Sequence, residues 1–293
     1  HKDIYSFKSK KKYDIVISDG VLHHTHSISK GISLASKFLK PSGFLILILP
    51  NTFGFFQRAL QRYILFSISK NEKEIVTNSK KLFFNHLKRA SKIGKRSIES
   101  VIYDTYVNPQ IDSIDLSGIC ENFKKNNINL YNTFPPPNFL DEILFSSKNT
   151  KFNLNKKNSS FANSLNEINW MSSDGLIFED KSILKIKKFI KINSDIVNLI
   201  KNKNLKNNKI NKNIFKKKII EGIGKSTSIT GIDSINLKRH KNFLEEIAGL
   251  IKILDKKNSK NIIKKLSVYI KKSKIIFKGT NGVGENYYIG MKN

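Results

Sequence analysis

The stretch Tyr13–Asn51, YDIVISDGVLHHTHSISKGISLASKFLKPSGFLILILPN, decides the fold. Tyr13–Ser18 is a short apolar run rich in β-branched residues. Lysines precede it and Asp19-Gly20 follows it, so it reads as a strand. Ile28, Ile32, Ala35 and Phe38/Leu39 recur at helical spacing, with Ser27 or Ser29 placed to cap the first turn. Pro41-Ser42-Gly43 is a turn, and Phe44–Leu49 is apolar at every residue. Such a run suits a strand covered on both faces, as in a parallel sheet flanked by helices. The stretch therefore predicts strand, loop, helix, turn and strand. The two strands should be adjacent and parallel, joined by a right-handed crossover.

In this order, Asp14-Ile15-Val16-Ile17-Ser18, Gly20-Val21-Leu22-His23-His24 and Leu39-Lys40-Pro41-Ser42-Gly43 resemble the middle of a class I S-adenosylmethionine-dependent methyltransferase. In that family a strand of D-x-V/I-x-S/N pattern runs into G-V-L-H-H, a helix, then L-K-P-G-G and the fifth strand. Ser42 stands where the family usually has glycine. The resemblance is close over residues 1–50 and looser over 51–135.

What the resemblance implies is an α/β fold, the second half of a Rossmann-like methyltransferase sheet, with a large helical insertion. Residues 1–135 would hold the C-terminal half of that domain. Residues 136–280 would be the insertion, and 281–293 the closing strand. The family ends with a helix, a sixth strand and an antiparallel seventh strand that inserts beside the fifth. Leu116–Asn126, Ile128–Phe134 and Tyr287–Met291 are expected in those places. The family's first strand, Gly-rich turn and ribose-binding acidic residue have no counterpart in the twelve residues before Tyr13. The resemblance thus implies a fragment, weak in cofactor binding and inactive alone, with an open apolar edge at Tyr13–Ser18.

At 293 residues, 39% of them hydrophobic and 10% aromatic, the chain can bury a sizeable core. No apolar run approaches the roughly 20 residues of a spanning helix, so no membrane partner is expected. The lone Cys120 excludes an internal disulfide and fits a reducing, cytoplasmic setting. The net charge of +30 invites a nucleic-acid reading. Lysine is spread along the whole chain, however, and arginine is scarce beside it. Arginine makes most bidentate phosphate and base contacts, so a general lysine-rich surface is the favoured reading.

Beyond Asn51 the pattern turns helical. Phe56, Ala59, Leu60 and Tyr63 share one face, as do Val76, Phe83, Leu87 and Ala90 before Gly94. These two helices are either core or a substrate cover. Ser113 or Asp115 caps a helix with Leu116, Ile119, Cys120 and Phe123 on its apolar face, and Pro135-Pro136-Pro137 stops the strand after it. Residues 138–180 read as a long irregular connection anchored by Trp170 and Met171. A long helix bearing Ile183, Ile186, Ile190, Val197 and Ile200 follows. Residues 201–218 read as a solvated linker or helix end, and a helical pair follows over Phe243–Leu254 and Ile262–Ile270.

In an open α/β sheet, ligands bind outside the carboxyl ends of the strands. Ser18, Asp19, Gly20 and Val21 lie at one such end. The resemblance implies that they and His23 line S-adenosyl-L-methionine. His24 titrates near neutrality and suits proton removal from a hydroxyl or amine, the alternative being a packed, loop-bonding histidine. Asp104 and Tyr106, in a cluster with Tyr103 and Asn108, would hold a polar acceptor; the alternative is a turn packed on the helices. Pro50, Asn51 and Thr52 follow the second strand and could face the substrate. His23-His24-x-His26 lacks Cys or carboxylate partners at ligand spacing, so no metal is expected. Glu221–Thr227 imitates a phosphate-binding loop, but Ile219 occupies the place of a required glycine and Lys216-Lys217-Lys218 replaces the strand.

The function these residues point to is methyl transfer to O, N or C of a small-molecule acceptor. An RNA or protein methyltransferase, with the lysine-rich insertion as partner surface, is the second reading. A non-catalytic remnant that binds partners is the third.

Overall fold

Tyr13–Asp19 (β1) and Leu39–Pro50 (β2) pair in parallel, Ile15 with Phe44 through Asp19 with Ile48. This is the computed structural model of the chain, and it describes residues 3–134, 167–168, 170–172, 183–201, 212–228, 234–255, 261–278 and 284–293. Helix Ile28–Ser36 (α1) joins the two strands, and Ser27 caps it by accepting from the Lys30 N–H at 3.2 Å. Before β2 settles into register the chain turns at Ser42, whose φ is +60°. A serine held there is strained where glycine would not be.

Helix Leu116–Lys125 (α5) starts on an Asp115 cap, which accepts from the Gly118 N–H at 2.8 Å. It ends at Asn126-Asn127 and leads into strand Ile128–Phe134 (β3). The last strand, Glu285–Lys292 (β4), enters antiparallel between β2 and β3. The sheet order is β1-β2-β4-β3. The α/β class, the parallel pair and the late antiparallel strand meet the expectations from sequence.

One face of this sheet is packed. Leu45, Leu47 and Leu49 of β2 are fully buried. With Tyr288, Ile128 and Leu130 they meet Ile32 of α1 and Ile119 and Phe123 of α5. Burying one such leucine contributes about 1.5–3 kcal/mol. Gly290 lets the layers close: a Cβ there would lie 2.4 Å from Ile128 Cγ2 and 2.6 Å from Phe123 Cε2. The other face differs from expectation. Phe44, Ile46, Ile289 and Met291 are half-buried, and Ile15 and Ile17 are 55% and 62% exposed. The apolar run of β2 was expected to be covered on both sides. Helices α1 and α5 both pack on the Leu45 side.

A second core is helical. Phe56–Ile68 (α2), Glu72–Gly94 (α3) and Ile98–Ile102 (α4) contribute Phe56, Leu60, Tyr63, Leu82, Leu87 and Val101. Ile183–Ile200 (α6), Lys212–Ser228 (α7), Ser234–Asp255 (α8) and Ile262–Lys272 (α9) add Ile196, Phe215, Ile219, Phe243, Ile247 and Leu266. Helices α2 and α3 are therefore core elements. Of residues 201–218, expected as linker or helix end, 212–218 open α7, because Phe215 and Ile219 sit one turn apart on a buried stripe. Glu221–Thr227 lies inside that helix, so it forms no phosphate loop. Ile168 and Met171 join this core and Trp170 is buried. The rest of the expected irregular connection, Pro135–Pro137 and residues 279–283 lie outside the described residues. No described helix is long and apolar enough to cross a membrane.

Candidate functional site

The site sits at the carboxyl end of β1, where the chain leaves the sheet through Asp19-Gly20. Gly20 takes φ +65°, the left-handed region where a side chain is strained. Its N–H reaches Ile48 O at 3.3 Å, which ties the turn to β2. A Cβ at Gly20 would meet nothing within 4 Å, so its conformation, not crowding, requires glycine. Asp19 and Val21 are exposed, while the Ser18 hydroxyl is buried without a partner. These residues, expected to line a cofactor, do share one rim.

The next turn, Leu22–His24, buries Leu22 and His23. His23 is packed: its ring centroid lies 3.9 Å from that of His24. Burial first, then His24, pushes its pKa down to about 4, against Asp104 and Asp112, which raise it. His23 is therefore neutral near pH 7 and a poor proton carrier there. It supports the loop, its carbonyl accepting from Asp112 N–H at 2.9 Å.

His24 meets a second segment. Helix α4 runs on into a single π turn, Tyr103–Val107, which carries Asp104. Arg62 of α2 is buried and holds this turn: its guanidinium donates to Thr105 O and Asn108 O, each at 2.9 Å. Burial lowers the Arg62 pKa to about 10, so it stays charged near neutrality. Asp104 Oδ1 lies 3.6 Å from His24 Nε2, and its Oδ2 accepts from Arg96 at 2.9 Å. Asn108 Oδ1 accepts from the Gln110 N–H at 3.0 Å, so its amide NH₂ faces His24 Nδ1, also at 3.0 Å. Neutral His24 then accepts at Nδ1 and carries its proton on Nε2, toward Asp104. Gln110 O, 3.0 Å from Nδ1, gains a bond only when Nδ1 is protonated. His24 thus meets Asn108 on one ring nitrogen and faces Asp104 with the other.

Tyr106 is not in this cluster, contrary to expectation. It is fully buried, its hydroxyl donates to Gln61 Oε1 at 2.9 Å, and burial pushes its pKa far up. Positions two apart on a helical turn do not face the same way, so Asp104 looks to solvent and Tyr106 to the helical core.

Asn51 is likewise structural. Fully buried, it accepts from the N–H groups of Phe53 and Gly54 and donates to Tyr288 and Glu167. Glu167 also accepts from the Leu116 N–H at 2.8 Å, at the start of α5. Burial, then Asp115, raises the Glu167 pKa well above the usual range. Nothing in its Asn/Ser-rich stretch marks Glu167 in the sequence. Arg62 and Arg96 carry a signal in hindsight: arginine is rare in this chain. Among the described residues no group of three or more His, Cys, Asp or Glu is placed to hold a metal. No family model matches the chain, and no curated protein matches it.

Proposed function

We propose that this chain carries the second half of a class I methyltransferase sheet and serves methyl transfer to a small-molecule acceptor. The observation that supports this best is the strand order β1-β2-β4-β3, with β4 entering antiparallel after a long excursion. The same chain has the loop motif at the end of β1. Ser42 at φ +60° adds support, since it stands where the family's motif has glycine.

S-adenosyl-L-methionine, when bound, supplies a methyl group on a positively charged sulfonium. Ser18, Gly20 and Val21 fit one wall for it, through a glycine turn and an unpartnered hydroxyl at the strand end. Asp104, partly exposed, orients the acceptor's O–H or N–H and takes its proton as the new bond forms. Arg96 and His24 hold that carboxylate, and Arg62 holds the turn beneath it. Cytoplasmic localisation belongs to this reading.

Saturation-transfer NMR with S-adenosylhomocysteine tests the assignment, because it detects weak binding. Transfer to the adenosine protons is expected, with loss in Gly20→Val, where a β-branched residue meets a positive φ. No transfer, or undiminished transfer in the variant, overturns it.

One observation favours an RNA or protein acceptor as second reading. A surface groove of about 610 Å³ between α3 and α9 is lined by Lys81, Lys264 and Lys271 with no carboxylate. RNA held only by diffuse lysine charge would be bound weakly and lost steeply with salt, whereas a tight, salt-resistant and sequence-selective complex would promote this reading.

A further inference from the structure

We propose that the junction of α2, α3 and the π turn binds a small oxyanion, a phosphate or carboxylate, on Arg58 and Arg89, with His86 and the Gln61 amide behind them.

The first observation is where the arginines are. The chain has five, at 58, 62, 89, 96 and 239, against 48 lysines. Four of them lie between α2 and the start of α4. Arg62 and Arg96 already hold backbone carbonyls and Asp104. Arg58 touches the Phe55 ring, 5.9 Å from its centroid, and neither Arg58 nor Arg89 is in an ion pair among the described residues.

The second observation is a surplus of donors. Positions 58, 61 and 62 share one face of α2. Tyr106 uses Gln61 Oε1, which leaves the buried Gln61 amide NH₂ without an acceptor. Across from it, α3 leaves helical geometry at Phe83, whose ring lies 6.1 Å from that of Tyr106. One turn further on, both ring nitrogens of His86 are buried and unpartnered. Burial first, then the Arg58 and Arg89 cations near it, pushes the His86 pKa down to about 3. A buried donor with no acceptor costs about 1–3 kcal/mol. Arginine forks match phosphate and carboxylate oxygens bidentately. Arg58 is half-buried and Arg89 exposed, so the site opens to solvent.

Arg58 lies one turn from Arg62, about 6 Å along α2, and Arg62 holds the turn that carries Asp104. If the methyltransferase reading holds, the acceptor is anionic. Oxyanion binding itself does not depend on that reading.

The experiment is calorimetry of the full 293-residue chain with inorganic phosphate, and separately with acetate. It uses no methyl donor. Arg58→Gln and Arg89→Gln should each weaken binding about tenfold or more, the scale of one charge-assisted bond. Lys264→Gln/Lys271→Gln, in the groove lined by α9, should leave it unchanged. Phosphate without acetate assigns a phosphorylated ligand; both binding assigns a carboxylate as well. No binding of either below about 10 mM overturns the site. Equal loss in the lysine variant also overturns it, by showing a diffuse charge effect. Should Arg58→Gln fail to fold, the exposed Arg89 variant decides. Failure here leaves the methyltransferase reading standing, and the S-adenosylhomocysteine experiment can fail independently.

Discussion

The two faces of the sheet are built from the same four strands and have opposite fates. On one, Leu45, Leu47, Leu49 and Tyr288 lie under α1 and α5 with almost no exposure. On the other, Ile15, Ile17, Tyr131, Phe134 and Tyr287 are between 43% and 65% exposed. Alternate residues of one strand differ only in which way they point. The contrast teaches that hydrophobicity marked both faces for burial, but the covering layer decided which face became core. The open side is apolar in a chain with 48 lysines. None of its residues on the four strands is lysine, and its aromatic rings pair across strands, Phe44 with Tyr131 and Phe134 with Tyr287.

The sharpest break of this comparison is a matched pair of truncations. Leu47→Ala empties a fully buried site between the sheet and its helices, and should cost about 2–5 kcal/mol. Ile17→Ala, from the neighbouring strand but the open side, should cost well under half of that. Urea denaturation of both variants checks it. Equal costs would mean that the two faces are equally covered in solution.

A pH effect sharpens the packed side. Glu167, at the rim where Asn51, Tyr288 and the start of α5 meet, has its pKa raised by burial and then by Asp115. The unfolded carboxyl titrates near about 4.3. Below that pH both states are protonated, and this group's contribution to stability is fully present. As pH rises above it, the unfolded chain releases the proton first. Stability then falls by about 1.4 kcal/mol per pH unit until the folded carboxyl ionises. Glu167→Gln keeps the acceptor for Leu116 and Asn51 but cannot ionise. Its urea midpoint should exceed that of the native chain at about pH 7.5 and match it near about pH 4.5. A native chain with no such slope would show that Glu167 is solvated.

The scaffold of the packed face was legible because its signals are local. Ser27 and Asp115 at helix starts, β-branched runs and the motif order around Gly20 each act over a few residues. They predicted β1, α1, β2, α5 and β3, and even the late strand at Tyr287–Met291. The site was legible only in part. Asp104 and His24 meet across eighty residues, and sequence names both, with His24 as a base or a packed, loop-bonding histidine, but does not show that they face each other. The tautomer depends on Asn108 and Gln110, whose orientation no spacing rule supplies. Tyr106 was misplaced because a π turn was not foreseen. Arg62 and Glu167 act through buried contacts that their neighbours in sequence do not announce. The open face was misread for a similar reason: a continuous apolar run states what could be buried, not what is.

A smaller effect tests how tightly the packed face is fitted. Gly290→Ala adds one methyl group against Ile128 and Phe123 and should cost about 1–3 kcal/mol by overpacking. Phe123→Leu in the same chain makes room for that methyl. The double variant should cost less than the sum of the two single changes, read from the same denaturation curves. Strict additivity would mean that the sheet and α5 shift apart freely.

The smallest expected change in stability belongs to the open face and its edge. Strand β1 pairs only with β2 among the described residues, so its outer edge presents free backbone groups beside Ile15 and Ile17. Such an edge invites pairing with another chain, and natural proteins protect edges with lysine. Ile15→Lys/Ile17→Lys removes two exposed apolar side chains and introduces that protection. No core contact is lost, so folding stability should change by about 0.5 kcal/mol or less per site, as for other surface substitutions. Self-association should fall, because the added charges repel across an edge-to-edge contact. Sedimentation velocity over a concentration series reads the second effect and urea denaturation the first. If the double variant instead lost more than about 2 kcal/mol, the isoleucines would be buried in solution. The two faces would then be equivalent after all. If stability and association both stayed fixed, the edge would be exposed but inert, and its apolar character would need another explanation than pairing.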